Sequence, residues 1–202
     1  MRLVFATNNK NKLSEIRSLV TNGIEILGLK DIHCNEDIPE TYPTLEENAL
    51  QKARYIYENY GFNCFSDDTG LEINALDGDP GVYSARYAGA DCLAEDNIEK
   101  VLHNLEGEKD RSAQFRTVIA LIINGKETLF EGNCKGNIIN KKSGLGGFGY
   151  DPIFIPEGYN RTFAEMHQDE KGMISHRGNA VKRLVVFLDS FEDSESDEGV
   201  EL

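Results

Sequence analysis

Phe65-Ser66-Asp67-Asp68-Thr69-Gly70-Leu71-Glu72, followed by Gly81-Val82-Tyr83-Ser84-Ala85-Arg86-Tyr87-Ala88-Gly89, is the stretch on which the reading of this chain turns. A short run, Asn63-Cys64-Phe65, leads into two adjacent carboxylates, and Thr69-Gly70 breaks the chain just after them. That pattern predicts a strand ending at the acids and delivering them to the sheet edge where open α/β folds bind ligands. Side chains alternate along a strand, so Asp67 and Asp68 should face opposite ways. One then points into a cleft while the other orients its neighbours or braces the turn. A carboxylate pair with one member free suits Mg²⁺, which takes one or two protein carboxylates and leaves its other positions to water and phosphate oxygens. The alternative is an Asp-rich surface turn, since Asp and Gly are ordinary turn residues.

Upstream, Leu3-Val4-Phe5-Ala6 reads as a buried strand. The polar loop Thr7-Asn8-Asn9-Lys10-Asn11-Lys12 follows, and Leu13, Ile16, Leu19 and Val20 then recur at helical spacing. Asn8 or Asn9 can cap that helix, and its free N–H groups with Lys10 and Lys12 beside them make an anion site. The glycines of a Walker A motif are missing. Ile24 to Leu29 reads as a second strand, and Thr44-Leu45-Glu46-Glu47 as a capping box opening a helix that carries Lys52.

Downstream, Ile98, Val101, Leu102 and Leu105 mark a helix that stops at Gly107. Phe115 to Ile123 is strand-like, Asn124-Gly125 is a hairpin turn, and the chain returns over Thr128 to Phe130. A break is expected at Gly132, with Lys135 to Ile139 continuing the strand. Strands this long and antiparallel predict a mixed sheet. In Gly144-Leu145-Gly146-Gly147-Phe148-Gly149-Tyr150-Asp151 the glycines let a ligand approach the backbone. Phe148 and Tyr150 offer flat faces for a purine, and Asp151 offers acceptors for ring N–H groups. Ser175 caps a last helix whose first turn holds His176 and Arg177, where the helix dipole disfavours cations. A ligand would explain that placement.

Composition narrows the possibilities. The 202 residues suit a single domain with a sizeable core, 40% of them being apolar. The 21 basic and 35 acidic residues give a net charge of −14, which argues against non-specific nucleic-acid or membrane binding. Residues 192–202 hold six acidic and no basic side chains, leaving −8 on the remainder, and predict a disordered tail after a domain spanning residues 1–191. Cys34, Cys64, Cys92 and Cys134 form no CxxC, so free thiols in a reducing cytoplasm are expected. The N-terminus turns polar too early for a signal peptide, and the longest apolar run, Val118 to Ile123, is too short to span a membrane. A soluble, cytoplasmic protein is expected.

Six blocks, taken together and in order, resemble the inosine triphosphate pyrophosphatase, or Ham1-like, family over Met1 to about Phe191. They are Thr7 to Lys12, Glu47-Asn48-Ala49, Ser66 to Leu71, Pro80 to Tyr87, Gly146 to Pro152 and Ser175 to Gly178. The resemblance implies an α/β fold: an elongated mixed sheet flanked by helices, two lobes and a central cleft. It implies a homodimer and a Mg²⁺-dependent hydrolysis of ITP, dITP and XTP to monophosphate and pyrophosphate. By motif position, Asp68 is the proton acceptor and a metal ligand, and Glu40 a further metal-site carboxylate. Thr7, Asn8, Asn9, Lys10, Asn11, Lys12, Lys52, Thr69 and Lys171 match triphosphate contacts. Phe148, Gly149, Tyr150, Asp151, His176 and Arg177 match the base pocket. Thr69 stands where many members have Ser and keeps the hydroxyl. Two other readings share many of these residues: a Maf-like pyrophosphatase acting on other nucleotides, and a nucleotide-binding module without turnover.

Overall fold

The computed structural model describes residues 1–20, 23–91 and 93–197. Strand β1 (Arg2–Phe5) feeds α1 (Lys10–Leu19), and β2 (Glu25–Leu27) follows. Helix α2 (Leu45–Tyr60) precedes the central strand β3 (Cys64–Ile73), which the two-residue β4 (Pro80–Gly81) joins on one side. Helix α3 (Ala94–Asn104) leads to the hairpin β5 (Ser112–Ile123) and β6 (Lys126–Ile138). The edge strand β7 (Phe154–Pro156) and helices α4 (Gln168–Ile174) and α5 (His176–Asp197) close the chain. The sheet order is β2-β1-β3-β5-β6-β7, parallel across β2, β1 and β3 and antiparallel beyond. This is the mixed α/β sheet expected.

The central strand departs from expectation in a way that makes the cleft. β3 does not end at Asp67-Asp68; it runs on through Thr69 and Gly70 to Ile73. What ends there is its neighbour: β1 pairs with β3 only at Val4–Cys64 and Phe5–Phe65, whereas β5 pairs along the whole of β3. Past Phe65 one edge of β3 therefore loses its partner, and Asp67, Asp68 and Thr69 occupy the step.

Alternation along β5 divides the core. Ile119, Leu121 and Ile123 face one side of the sheet, where α1 and α5 pack through Ile16, Ala180, Val181, Leu184 and Leu188. Val118, Ala120 and Ile122 face the other, against Leu45, Ala49, Ala53 and Ile56 of α2. Farther along, Ala113 and Phe115 join Ile98 and Val101 of α3, Phe154 and Phe163 in a second lobe. The cleft opens between this lobe and the first two layers.

Local signals hold at the helix starts and in the hairpin. Asn9 caps α1 by accepting from the amides of Asn11 and Lys12, and Thr44 caps α2 by accepting from Glu47 N. Asn124 and Gly125 turn the β5–β6 hairpin with φ of 50° and 80°. Gly132 is not a break, because β6 is continuous through it. A Cβ there would lie 3.0 Å from Ala180 Cα and closer still to the His176 carbonyl, so the missing side chain lets α5 lie directly on the strand. Helix α5 extends to Asp197, past Glu192, where the sequence places the tail. Residues 198–202, and Cys92, lie outside the described residues. Cys34, Cys64 and Cys134 are free thiols.

Candidate active site

A cleft of about 760 Å³ lies beyond the end of β1, lined from both lobes. Every candidate site residue lines it except Lys10. Lys10 is exposed and two positions before Lys12, so it emerges from a different side of α1. The anion site at the α1 start also differs from expectation. Asn9 Oδ1 takes the Asn11 and Lys12 amides at 2.9 and 3.2 Å, and Thr7 Oγ1 takes the Asn9 amide at 3.1 Å. An anion there meets the side chains of Asn8, Asn11 and Lys12 more than bare helix N–H groups.

The two central acids have opposite fates, as strand alternation predicts. Asp67 is 1% exposed and accepts from Lys12 Nζ at 3.0 Å on one oxygen and from Arg177 Nε at 3.1 Å on the other. Burial alone would raise its pKa; the adjacent Lys12, Arg177 and Lys52 cations overcome this and hold it far below the ordinary carboxylate range. Asp68 is 8% exposed and faces the cleft. Its Oδ1 is 3.6 Å from Lys52 Nζ, and its buried Oδ2 has no partner. Burial raises its pKa, opposed by Lys52 and Lys12 and reinforced by Glu40 and Asp67. Glu40 accepts from the same Lys52 amine. Desolvation works against the Lys52 cation, but Asp68 and Glu40 more than offset it and raise its pKa.

Farther into the cleft the charges close on themselves. Lys171 Nζ donates to Glu15 at 2.8 Å and to Asp151 at 2.7 Å. Arg177, 1% exposed, donates to Glu15 at 2.5 Å, to Asp67, and to Thr69 Oγ1 at 3.3 Å. Lys171 and Arg177 also lie over the Phe148 ring, 4.8 and 5.6 Å from its centroid. The Phe148 amide donates to Asp151 Oδ2 at 2.8 Å, so Asp151 holds the loop and Lys171, with its pKa raised mainly by burial. Tyr150 is 5% exposed and its hydroxyl donates to the Ser84 carbonyl at 2.8 Å. It forms part of the wall and packs in the second lobe, so Phe148 is the half-buried ring the loop presents.

His176 stacks on Phe115 with centroids 4.5 Å apart and planes 17° from parallel. Burial, reinforced by Arg177 and Lys171, drives its pKa well below the ordinary value, so the ring is neutral at pH 7. This removes the conflict with the helix dipole, and Glu15 and Asp67 answer the charge of Arg177. Ser175 Oγ caps the helix by accepting from Gly178 N at 3.1 Å.

Glu15 was not among the sequence candidates, although it joins Lys171 to Arg177. A polar residue beside Ile16 on the buried side of α1 was its one signal. Phe115 was likewise invisible as the platform under His176, because its apolar strand context reads as core.

The arrangement matches known proteins over nearly the whole chain. The Ham1 family matches residues 3–187. A protein of Flavobacterium johnsoniae named dITP/XTP pyrophosphatase is 55% identical over 188 residues, covering 93% of this chain and 98% of that protein. The Staphylococcus aureus Ham1 protein superposes with a TM-score of 0.85 at 38% identity, covering 94% of this chain and 99% of that one. A HAM1 protein from Coxiella burnetii gives 0.86 at 39% identity, with the same coverages.

Proposed function

The chain belongs to the Ham1 family, and we infer that its cleft hydrolyses deaminated purine nucleoside triphosphates (dITP, ITP and XTP) to the monophosphate and pyrophosphate. The observation that carries this reading is the division of the cleft. One end holds a buried carboxylate with an unpartnered oxygen among lysines; the other holds an aromatic face backed by a fixed guanidinium.

Asp68 and Glu40 fit a divalent ion. No group of three or more His, Cys, Asp and Glu among the described residues could hold a metal alone, but Mg²⁺ needs only one or two protein carboxylates when phosphate and water supply the rest. The orphaned Asp68 Oδ2 is the kind of acceptor such an ion satisfies, and Glu40 and Asp68 share the same Lys52 amine. When bound, Mg²⁺ supplies charge neutralisation along the triphosphate. Asp68 orients a water at the α-phosphorus and takes its proton. The new bond forms between the water oxygen and the α-phosphorus, and the bond to the bridging oxygen breaks. Lys12 and Lys52 face the charge left on pyrophosphate.

The base lies against Phe148. Arg177 has five N–H groups, of which three serve Asp67, Glu15 and Thr69, so two remain for an acceptor. A 6-oxo purine presents that acceptor. Adenine presents a 6-amino donor instead and leaves buried donors facing each other, a mismatch worth up to about 10⁴-fold in discrimination.

The same proposal takes residues 1–191 as one domain and the enzyme as a cytoplasmic homodimer. Free thiols at Cys34, Cys64 and Cys134 support the location. No helix among the described residues is long and apolar enough to cross a membrane. Incubation with ITP, XTP, GTP or ATP and Mg²⁺ tests the activity. Pyrophosphate released preferentially from ITP and XTP, and lost on chelating the metal, is expected. Orthophosphate release, equal rates on ATP, or tight binding without turnover would refute it.

A further inference from the structure

We propose that Arg86 is the clamp for the departing pyrophosphate: its guanidinium takes β- and γ-phosphate oxygens across the cleft from Lys12 and Lys52. The inference rests on the nucleotide hydrolysis proposed above and names a phosphate contact beyond it.

Charge pairing in the cleft leads to this assignment. Lys12 is paired with Asp67, Lys52 with Glu40 and Asp68, Lys171 with Glu15 and Asp151, and Arg177 with Glu15 and Asp67. Five carboxylates answer four cations, so this set offers a polyanion no positive surplus. Arg86 also lines the cleft. Among the described residues it has no ion pair and no side-chain hydrogen bond, and its guanidinium lies over the face of the Tyr83 ring, 5.3 Å from the centroid. That half-exposed contact is weak and easily exchanged for phosphate. A guanidinium presents a planar fork that matches two phosphate oxygens at once.

The side chain is free, but its backbone is fixed. Arg86 ends a 3₁₀ turn, Ser84–Arg86. Ser84 Oγ accepts from Leu71 N of β3 at 2.8 Å and donates to the Gly81 carbonyl at 2.6 Å. Asn97, buried at the start of α3, donates to the Ala85 carbonyl at 3.0 Å and accepts from Ala88 N at 2.6 Å. Gly70 makes the close approach possible: a Cβ there would lie 2.7 Å from the Gly81 carbonyl oxygen. The turn is thus registered against the strand that carries Asp68 and Thr69.

The test compares wild-type protein with Arg86→Ala and Arg86→Lys, using ITP and Mg²⁺, with pyrophosphate and IMP as inhibitors. Loss of a charge-assisted contact predicts that Arg86→Ala raises KM for ITP and Ki for pyrophosphate by about ten- to a hundredfold. Ki for IMP, which lacks the departing phosphates, should stay within about twofold. Arg86→Lys should recover part of the loss, since it restores the charge without the fork, and it also carries the test if the alanine variant folds poorly. An unchanged pyrophosphate Ki, or equal weakening of IMP, would overturn the assignment. Failure of the wild-type protein to release pyrophosphate from ITP would instead sink the parent reading.

Discussion

The two ends of the cleft hold similar groups and treat them differently. Beside Phe148, Lys171 and Arg177 are caged by Glu15, Asp67 and Asp151, and both oxygens of Asp67 are engaged, one by Arg177 and one by Lys12. Beside Lys52, Asp68 keeps one oxygen with no partner, and Lys52 is shared between two acids. A buried network with its groups satisfied is rigid and suits recognition. A buried acceptor left open is costly and marks a place where a ligand or an ion completes the site. Neighbouring residues on one strand thus differ, because alternation turns Asp67 into its buried pairs with Lys12 and Arg177 and Asp68 toward the cleft.

Asp68→Asn strikes the open end and should show the largest effect. Turnover of ITP falls by about 10²–10⁴-fold, the usual worth of a general base, while the protein still binds nucleotide in a calorimeter. Unchanged kcat would remove Asp68 from its role. Asp67→Ala strikes the closed end: removing one partner of a buried pair costs about 3–5 kcal/mol, measured as a loss of unfolding free energy in urea. A stability loss in Asp68→Asn larger than in Asp67→Ala would reverse the contrast between the two ends.

Phe148→Ala comes next. Lost stacking of about 1–3 kcal/mol should raise KM for inosine and xanthosine nucleotides alike, with Ki for pyrophosphate unaffected. A raised Ki for pyrophosphate would blur the distinction between the ends. The smallest effect is the pH dependence at His176. Its pKa is about 6.5 in the unfolded chain and well below that when folded, so the unfolded state binds the proton the folded state excludes. Stability is fully present above about pH 6.5 and is lost as pH falls toward the lowered folded value, by at most about 1.4 kcal/mol per pH unit. Thermal melts of His176→Gln between pH 7 and 5 should therefore fall less steeply than those of the parent protein; parallel curves would refute the assignment.

Much of this was legible in the sequence because it is local. Asn9 and Thr44 announce their helices through the N–H groups they cap, and Asn124-Gly125 announces a hairpin through its positive φ. The opposed directions of Asp67 and Asp68 follow from the pleat alone. What the sequence hid depends on partners distant in the chain. The end of pairing beside Asp67 is a property of β1, so in the sequence it looks like the end of β3. Glu15 reads as an ordinary helix carboxylate until Lys171 and Arg177 fold back onto it. Tyr150 advertises a stacking face, but its hydroxyl is taken by Ser84. Lys10 belongs to a basic, Asn-rich block, yet the turn of the helix carries it away from the cleft.

Gly132 lies on β6, outside the residues that line the cleft, yet the start of α5 rests on its bare Cα. Arg177 belongs to that same first turn. Adding one methyl group to this strand would lift the helix end and tilt the guanidinium, so the placing of Arg177 in the cleft depends on an atom that is missing from the back of the sheet.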